Sequence, residues 1–105
     1  MGAIKIKIVK YISDAQPGYV ECRFKDAWQK EHVIEEKVPV ITDKYLDPNS
    51  EYPQDANIAC EILKNRQSKD GRTILTVSID RPWGVQTIEG LTEFDVFQEQ
   101  LRVLK

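Results

Sequence analysis

One histidine, two cysteines and seventeen carboxylates are the groups in this chain best suited to chemistry. A Cys–His pair needs a thiolate within hydrogen-bond reach of an imidazole. A zinc site needs four ligands in a tetrahedron, and a glycosidase-like mechanism needs two carboxyl groups flanking one bond. His32 stands among Glu31, Glu35 and Glu36, and a lone histidine among charges reads as a solvated surface residue. Cys22 lies between Val20 and Phe24, and Cys60 between Ile58 and Ile62, on the apolar side of alternating stretches. Both therefore read as reduced, buried thiols, too few for a disulfide framework and without the close pairing of a metal knuckle. Asp43, Asp47, Glu51, Asp55, Glu89, Glu93 and Asp95 are spaced as on an ordinary solvated surface. Asp43, Asp47 and Asn49 also miss the alternation and central glycine of a calcium loop. Glycine-rich phosphate loops, HExxH, GxSxG and CxxC do not occur. The expectation is no catalytic residue, no metal and no cofactor. A carboxylate-dependent enzyme is the alternative, and an enclosed polar pocket holding two carboxylates would favour it.

Residues suited to binding stand out more clearly. Trp83 sits in the turn Arg81-Pro82-Trp83-Gly84, where an indole either caps a barrel end with its ring on the core or stands free as an interface anchor. The turn favours the cap. Trp28 invites the same two readings, and Tyr45 and Tyr52 could join either tryptophan in an aromatic patch. A second group is Lys5, Lys7, Arg23 and Lys25, flanked by Tyr11 and Tyr19. On paired strands these residues form a basic, aromatic-edged face of the kind that holds single-stranded nucleic acid. Lys64, Arg66, Lys69 and Arg72 surround Asp70 at a hairpin tip and read as charges that keep the tip soluble.

These residues must be positioned by one small domain, residues 1–105, with 41% hydrophobic and 30% charged residues. The net charge of −2 speaks against a polybasic binder without excluding a local patch. No apolar run approaches the roughly 18 residues of a membrane span. Lysines at 5, 7 and 10 break the first apolar stretch, and Ile6 stands where myristoylation wants Ser or Thr, so a cytoplasmic setting is expected.

The dominant hydrophobic period is two, which predicts antiparallel strands over 3–12, 18–26, 30–38, 56–67, 72–80, 85–89 and 92–97. Ile4, Ile6, Ile8 and Ile12 are expected on one face of the first strand, with Tyr11 on the other. Pro39 suggests an edge or a bend, and Thr42-Asp43 a short capped turn through Leu46. Residues 42–57 form a long irregular connection, a usual location for function. An even loop at 68–71 would set 67 opposite 72 and pair Ile62 with Val77 and Cys60 with Ile79. Phe97, Leu101 and Leu104 fit one face of a terminal helix. The sum is an all-β domain, a small antiparallel barrel or two-layer sandwich of six to seven short strands, with one short C-terminal helix.

Val20 to Asp26, Glu36-Lys37-Val38-Pro39-Val40, Arg81-Pro82-Trp83-Gly84 and Glu89 to Val96 carry a resemblance in short phrases, joined by Tyr52-Pro53 and Ile58-Ala59-Cys60-Glu61. Over about four fifths of its length the chain resembles a group of short bacterial proteins known only as uncharacterised. The resemblance implies a bacterial source and a stand-alone domain, and transfers no activity. The reading that results is a non-catalytic module. It engages a protein partner or a second copy through the 42–57 loop, Trp28, and the Arg81 and Trp83 turn. An RNA- or ribosome-associated barrel using the Lys5, Lys7, Arg23, Lys25, Tyr11 and Tyr19 face is the alternative.

Overall fold

Alternating apolar residues dictate strands, and strands with one apolar face must curl to cover it. The computed structural model, which describes residues 2–15 and 17–103, shows how. Seven strands run as β1 (Gly2–Ser13), β2 (Tyr19–Lys25), β3 (Glu31–Lys37), β4 (Gln54–Gln67), β5 (Thr73–Ser78), β6 (Glu93–Phe97) and β7 (Leu101–Val103). One helical turn, α1 (Val38–Ile41), follows β3, and a 3-10 turn (Gln98–Gln100) separates β6 from β7. Every pairing is antiparallel, in the order β3-β2-β1-β4-β5-β6. The path curls into a half-barrel because β4 serves both halves. Its Gln54–Cys60 part pairs with β1, and its Glu61–Gln67 part pairs with β5. β7 then pairs with Gly2, Ala3 and Ile4, bringing the end of the path back to β1.

Ile4, Ile8, Cys22, Ile34, Ile58, Cys60, Val77, Ile79 and Val96 fill the interior. Each buried isoleucine contributes about 2–3 kcal/mol. The all-β barrel-like fold and the first five strands match the sequence reading. Two of the differences come from bulges.

In β1 the register with β2 shifts between Ile8 and Lys10 and again between Tyr11 and Ser13. An extra residue reverses the side-chain alternation beyond it. Tyr11 therefore turns inward onto the core, and Ile12 is left 41% exposed, the reverse of the expected faces. Gly18 allows this. Its φ is +97°, and a Cβ there would lie 2.5 Å from the Tyr11 hydroxyl. The β4–β5 loop is odd in length. Gln67 faces Thr73, and a bulge at Leu63 restores the expected Ile62–Val77 pair further down.

Three further expectations are corrected. The helical turn precedes Thr42 instead of following it, because Pro39 fits the first turn of a helix and Thr42 returns to extended backbone. Residues 85–89 form no strand. Val85 and Thr87 do point inward, but the segment gains only isolated bonds, such as the Ile88 N–H donating to the Val33 carbonyl at 2.9 Å. The terminal helix is replaced by the 3-10 turn and β7, since the unpaired edge of β1 at Gly2–Ile4 offers Leu101–Val103 a ladder. Leu104 lies outside the described residues.

Candidate functional site

The β2–β3 turn is organised by one carboxylate. Asp26 is buried, and its Oδ1 accepts from the Trp28 N–H at 2.8 Å and the Lys30 N–H at 3.1 Å. Its Oδ2 takes the His32 Nε2 at 2.8 Å. Aspartate favours such turns because its side chain reaches amides two or more residues ahead. His32 is only 2% exposed, so the solvated reading is overturned. Its ring packs between Phe24 and Phe94 at centroid distances of 5.2 and 4.5 Å, an aromatic slot that charged neighbours along the chain hide from view. Its Nδ1 has no hydrogen-bond partner among the described residues. The Ala27 N–H donates to the Asp95 carbonyl at 2.8 Å and docks the turn on β6.

This docking lays Trp28 over the outer face of β4, β5 and β6. Cross-strand register places Lys64, Thr76 and Asp95 in one row and Arg66, Ile74 and Phe97 in the next. Asp95 joins the parts. Its Oδ2 accepts from the Trp28 Nε1 at 3.2 Å and an Arg66 guanidinium nitrogen at 2.9 Å, and its Oδ1 accepts from the Thr76 hydroxyl at 2.6 Å. Burial raises the affinity of the Asp95 carboxyl for its proton. The hydrogen bonds from Thr76 and Trp28 and the Arg66 charge outweigh that, and hold its pKa below the ordinary value.

The Arg66 guanidinium lies 5.9 Å from the Trp28 ring centroid, and that of Arg72 lies 3.4 Å from the Phe97 centroid while bonding Glu99 at 2.7 Å. Between these groups opens a cleft of about 540 Å³, lined among others by Trp28, Arg66, Lys69, Ile74 and Phe97. On its other side Trp28 borders a second, polar cleft of about 370 Å³ with Asp26, Lys30, His32, Glu93 and Asp95. That cleft is open to solvent and is not the enclosed pocket a carboxylate pair would favour.

Of the two readings open to each tryptophan, the structure shows the exposed one, against the cap favoured for Trp83. Trp83 is 63% exposed in a turn closed by the Gly84 N–H donating to the Asp80 carbonyl at 2.7 Å, so it does not cap the core. The short Asp80–Gly84 turn carries the indole away from the barrel end. Trp28 is 60% exposed but fixed by its backbone and its ring N–H. Arg81 is exposed beside Trp83, and Tyr45 is 83% exposed in the 42–57 loop. Tyr52 packs on the core, with its hydroxyl donating to the Asp47 carbonyl at 2.8 Å, and does not belong to an open aromatic patch.

The β1–β2 face does bring Lys5, Lys7, Arg23 and Lys25 to the outside, with Lys7 opposite Arg23. Carboxylates engage two of the four, while Lys5 donates to the Glu99 backbone carbonyl at 3.2 Å. Lys7 bonds Asp55, whose carboxyl it holds below the usual range, and Arg23 bonds Glu31 at 2.7 Å and Glu21 at 2.9 Å. Tyr19 is half-buried at the far end, and Tyr11 has turned inward, so the two do not edge this face as expected.

Burial pushes the Cys22 thiol up to about 12 and the Cys60 thiol up to about 11, the opposite of an activated nucleophile. Among the described residues no group of three His, Cys, Asp or Glu could hold a metal ion, and no helix is long and apolar enough to cross a membrane. Phe97 and Ile74 escaped the sequence reading as site residues because β5 and β6 look one-sided in sequence. The available signal was the adjacent pair Ile74-Leu75, which puts an apolar residue on each face of β5. No family model, curated protein or solved structure matches this chain.

Proposed function

We propose that the protein is a non-catalytic binding module that holds a macromolecular segment in the Trp28 cleft. One observation carries this reading: a tryptophan 60% exposed and yet held through its ring N–H by Asp95, standing over an apolar floor. Binding normally costs side-chain ordering, roughly 0.5–1.5 kcal/mol for each immobilised side chain, and a pre-ordered indole avoids that cost. Large amphipathic rings beside arginines are also the residues that dominate interface energetics. Three of the nearby acid–base groups already have structural work, since Asp26 fixes the turn, His32 is 2% exposed and bonded to Asp26, and both Asp95 oxygens are bonded. The two buried, unbridged thiols favour a reducing, cytoplasmic setting, and the phrases at Val20–Asp26 and Arg81–Gly84 favour a bacterial one.

The test is capture from a bacterial lysate with tagged wild-type protein and with Trp28→Ala and Trp83→Ala variants. The reading expects a set of bound molecules that Trp83→Ala keeps and Trp28→Ala loses. Retention of the whole set by Trp28→Ala, or an empty eluate from the wild type, overturns it.

A further inference from the structure

We propose that the occupant of the Trp28 cleft is a single-stranded nucleic acid, bound by stacking of its bases and by cations along the β4–β5 hairpin. This inference rests on the binding-module reading above.

The outer face of β4, β5 and β6 has the two parts such recognition requires. The first is a set of π surfaces on a sheet. The Trp28 indole is exposed, and the Arg72 guanidinium already lies over Phe97 at 3.4 Å from its centroid. Unstacked bases pack on aromatic rings and on guanidinium planes alike, so the outer side of Arg72 extends the Phe97 stack. A duplex hides its base faces and gains nothing from either surface.

The second part is a local concentration of cations in a chain whose net charge is −2. Lys64 and Arg66 occupy successive rows of the sheet face, and Lys69 and Arg72 stand at the tip beside them. Asp70, Asp95 and Glu99 are also here. Asp95 is bonded by Arg66, Trp28 and Thr76, and Glu99 by Arg72, so these carboxylates orient the guanidinium groups. Lys64 and Lys69 make no ion pair among the described residues. On the β1–β2 face Lys7, Lys10 and Arg23 face Asp55, Glu21 and Glu31, while Lys5 and Lys25 make no ion pair among the described residues, so cations alone do not separate the two faces. Tyr11, however, has left that surface, and among the described residues no exposed ring like Trp28 stands beside its lysines. The nucleic-acid reading thus moves from the first hairpin to the Trp28 cleft.

The test uses full-length protein carrying Trp83→Phe, so that Trp28 is the sole tryptophan. It is titrated with a mixed-sequence eight-nucleotide RNA, its DNA equivalent, and each annealed to its complement. Expected are saturable quenching of Trp28 and at least tenfold preference for a single strand over its duplex. Log affinity should fall with log salt at a slope of about −2 to −3, from about 0.7 per phosphate and up to four cations. In proteins retaining Trp83, binding read by anisotropy of a labelled RNA should weaken about tenfold for Trp28→Ala and for Arg72→Ala. Trp28→Phe, which keeps a ring, should retain most affinity and shows that loss in Trp28→Ala is not unfolding.

Failure of every oligonucleotide to bind, together with RNase-resistant, Trp28-dependent capture of a protein, overturns the nucleic-acid inference and leaves the module reading standing. Failure of the oligonucleotides with no Trp28-dependent capture overturns both. Binding that ignores Trp28→Ala and Arg72→Ala but is lost with Arg23→Glu places the ligand on the first hairpin, and also overturns the inference.

Discussion

Asp26→Ala tests how the Trp28 cleft is built. The carboxylate accepts from the Trp28 and Lys30 amides and from His32, and all three bonds disappear together. The two amides lie in a turn where water can partly replace the carboxylate, so each loses about 1 kcal/mol. His32 is different. Its Nδ1 has no partner among the described residues, and loss of Asp26 leaves both nitrogens of a ring only 2% exposed unpaired, at a cost of about 1–3 kcal/mol. The total is about 3–5 kcal/mol, a large share of the stability of a domain this size.

Urea unfolding followed by far-UV circular dichroism measures it. Asp26→Asn keeps an acceptor for the turn amides and should lose roughly half as much. In a His32→Phe background, which keeps a ring between Phe24 and Phe94, Asp26→Ala should cost about 1–2 kcal/mol less than in the wild type. A cost below about 1 kcal/mol for Asp26→Ala, or full additivity with His32→Phe, would refute the view that one carboxylate couples turn and core.

Three other predictions follow from single features. Neither Cys22 nor Cys60, with burial raising them to about 12 and 11, should react with a disulfide reagent at pH 8 in folded protein, and both should react in urea; fast labelling of the native state would contradict their burial. Gly18→Ala should cost about 2–3 kcal/mol through positive φ and the Tyr11 ring, while Gly71→Ala, with positive φ and open space, should cost about 1 kcal/mol; thermal melts giving equal losses would contradict the close approach. The Asp95 carboxyl has a folded pKa below its ordinary 3.8, so its contribution is present above that pH and fades as pH falls through the folded value. Stability should therefore drop more between pH 5 and pH 3 in the wild type than in Asp95→Asn, and equal drops in urea titrations would count against the Trp28–Arg66–Thr76 cluster.

Much of the fold was legible because period-two patterning is a direct imprint of a sheet with one buried face. Ile4, Ile6 and Ile8, then Val20, Cys22 and Phe24, point inward as their alternation requires. What patterning does not carry is the extra residue. The register shifts around Val9 and Ile12 exchanged Tyr11 and Ile12, and the bulge at Leu63 allowed an odd loop where parity argued for an even one. His32 shows the same limit in another form. Its neighbours in sequence are charges, whereas its neighbours in space are Phe24 and Phe94, brought by a different strand and by β6.

The candidate site was half visible. Trp28, Arg66, Lys69 and Arg72 were recognised as residues but not as a group, because Trp28 reaches the hairpin only through the docking of Ala27 on Asp95. Phe97 reads as part of a helix until the free edge of β1 is seen to recruit β7. Both failures are tertiary: the partner that decides the outcome lies tens of residues away.

Amide NMR of ¹⁵N-labelled protein, titrated with the eight-nucleotide RNA, shows residue by residue whether a single strand enters the Trp28 cleft. The three candidate surfaces share no residue, and each has its own reporter amides. Shifts should concentrate at Trp28, its indole N–H, Arg66 through Ile74, and Phe97, with Trp83 and Tyr45 unmoved. Shifts centred on the Arg81–Gly84 turn and Tyr45, shifts centred on Lys7 and Arg23, or no shifts at all would contradict it.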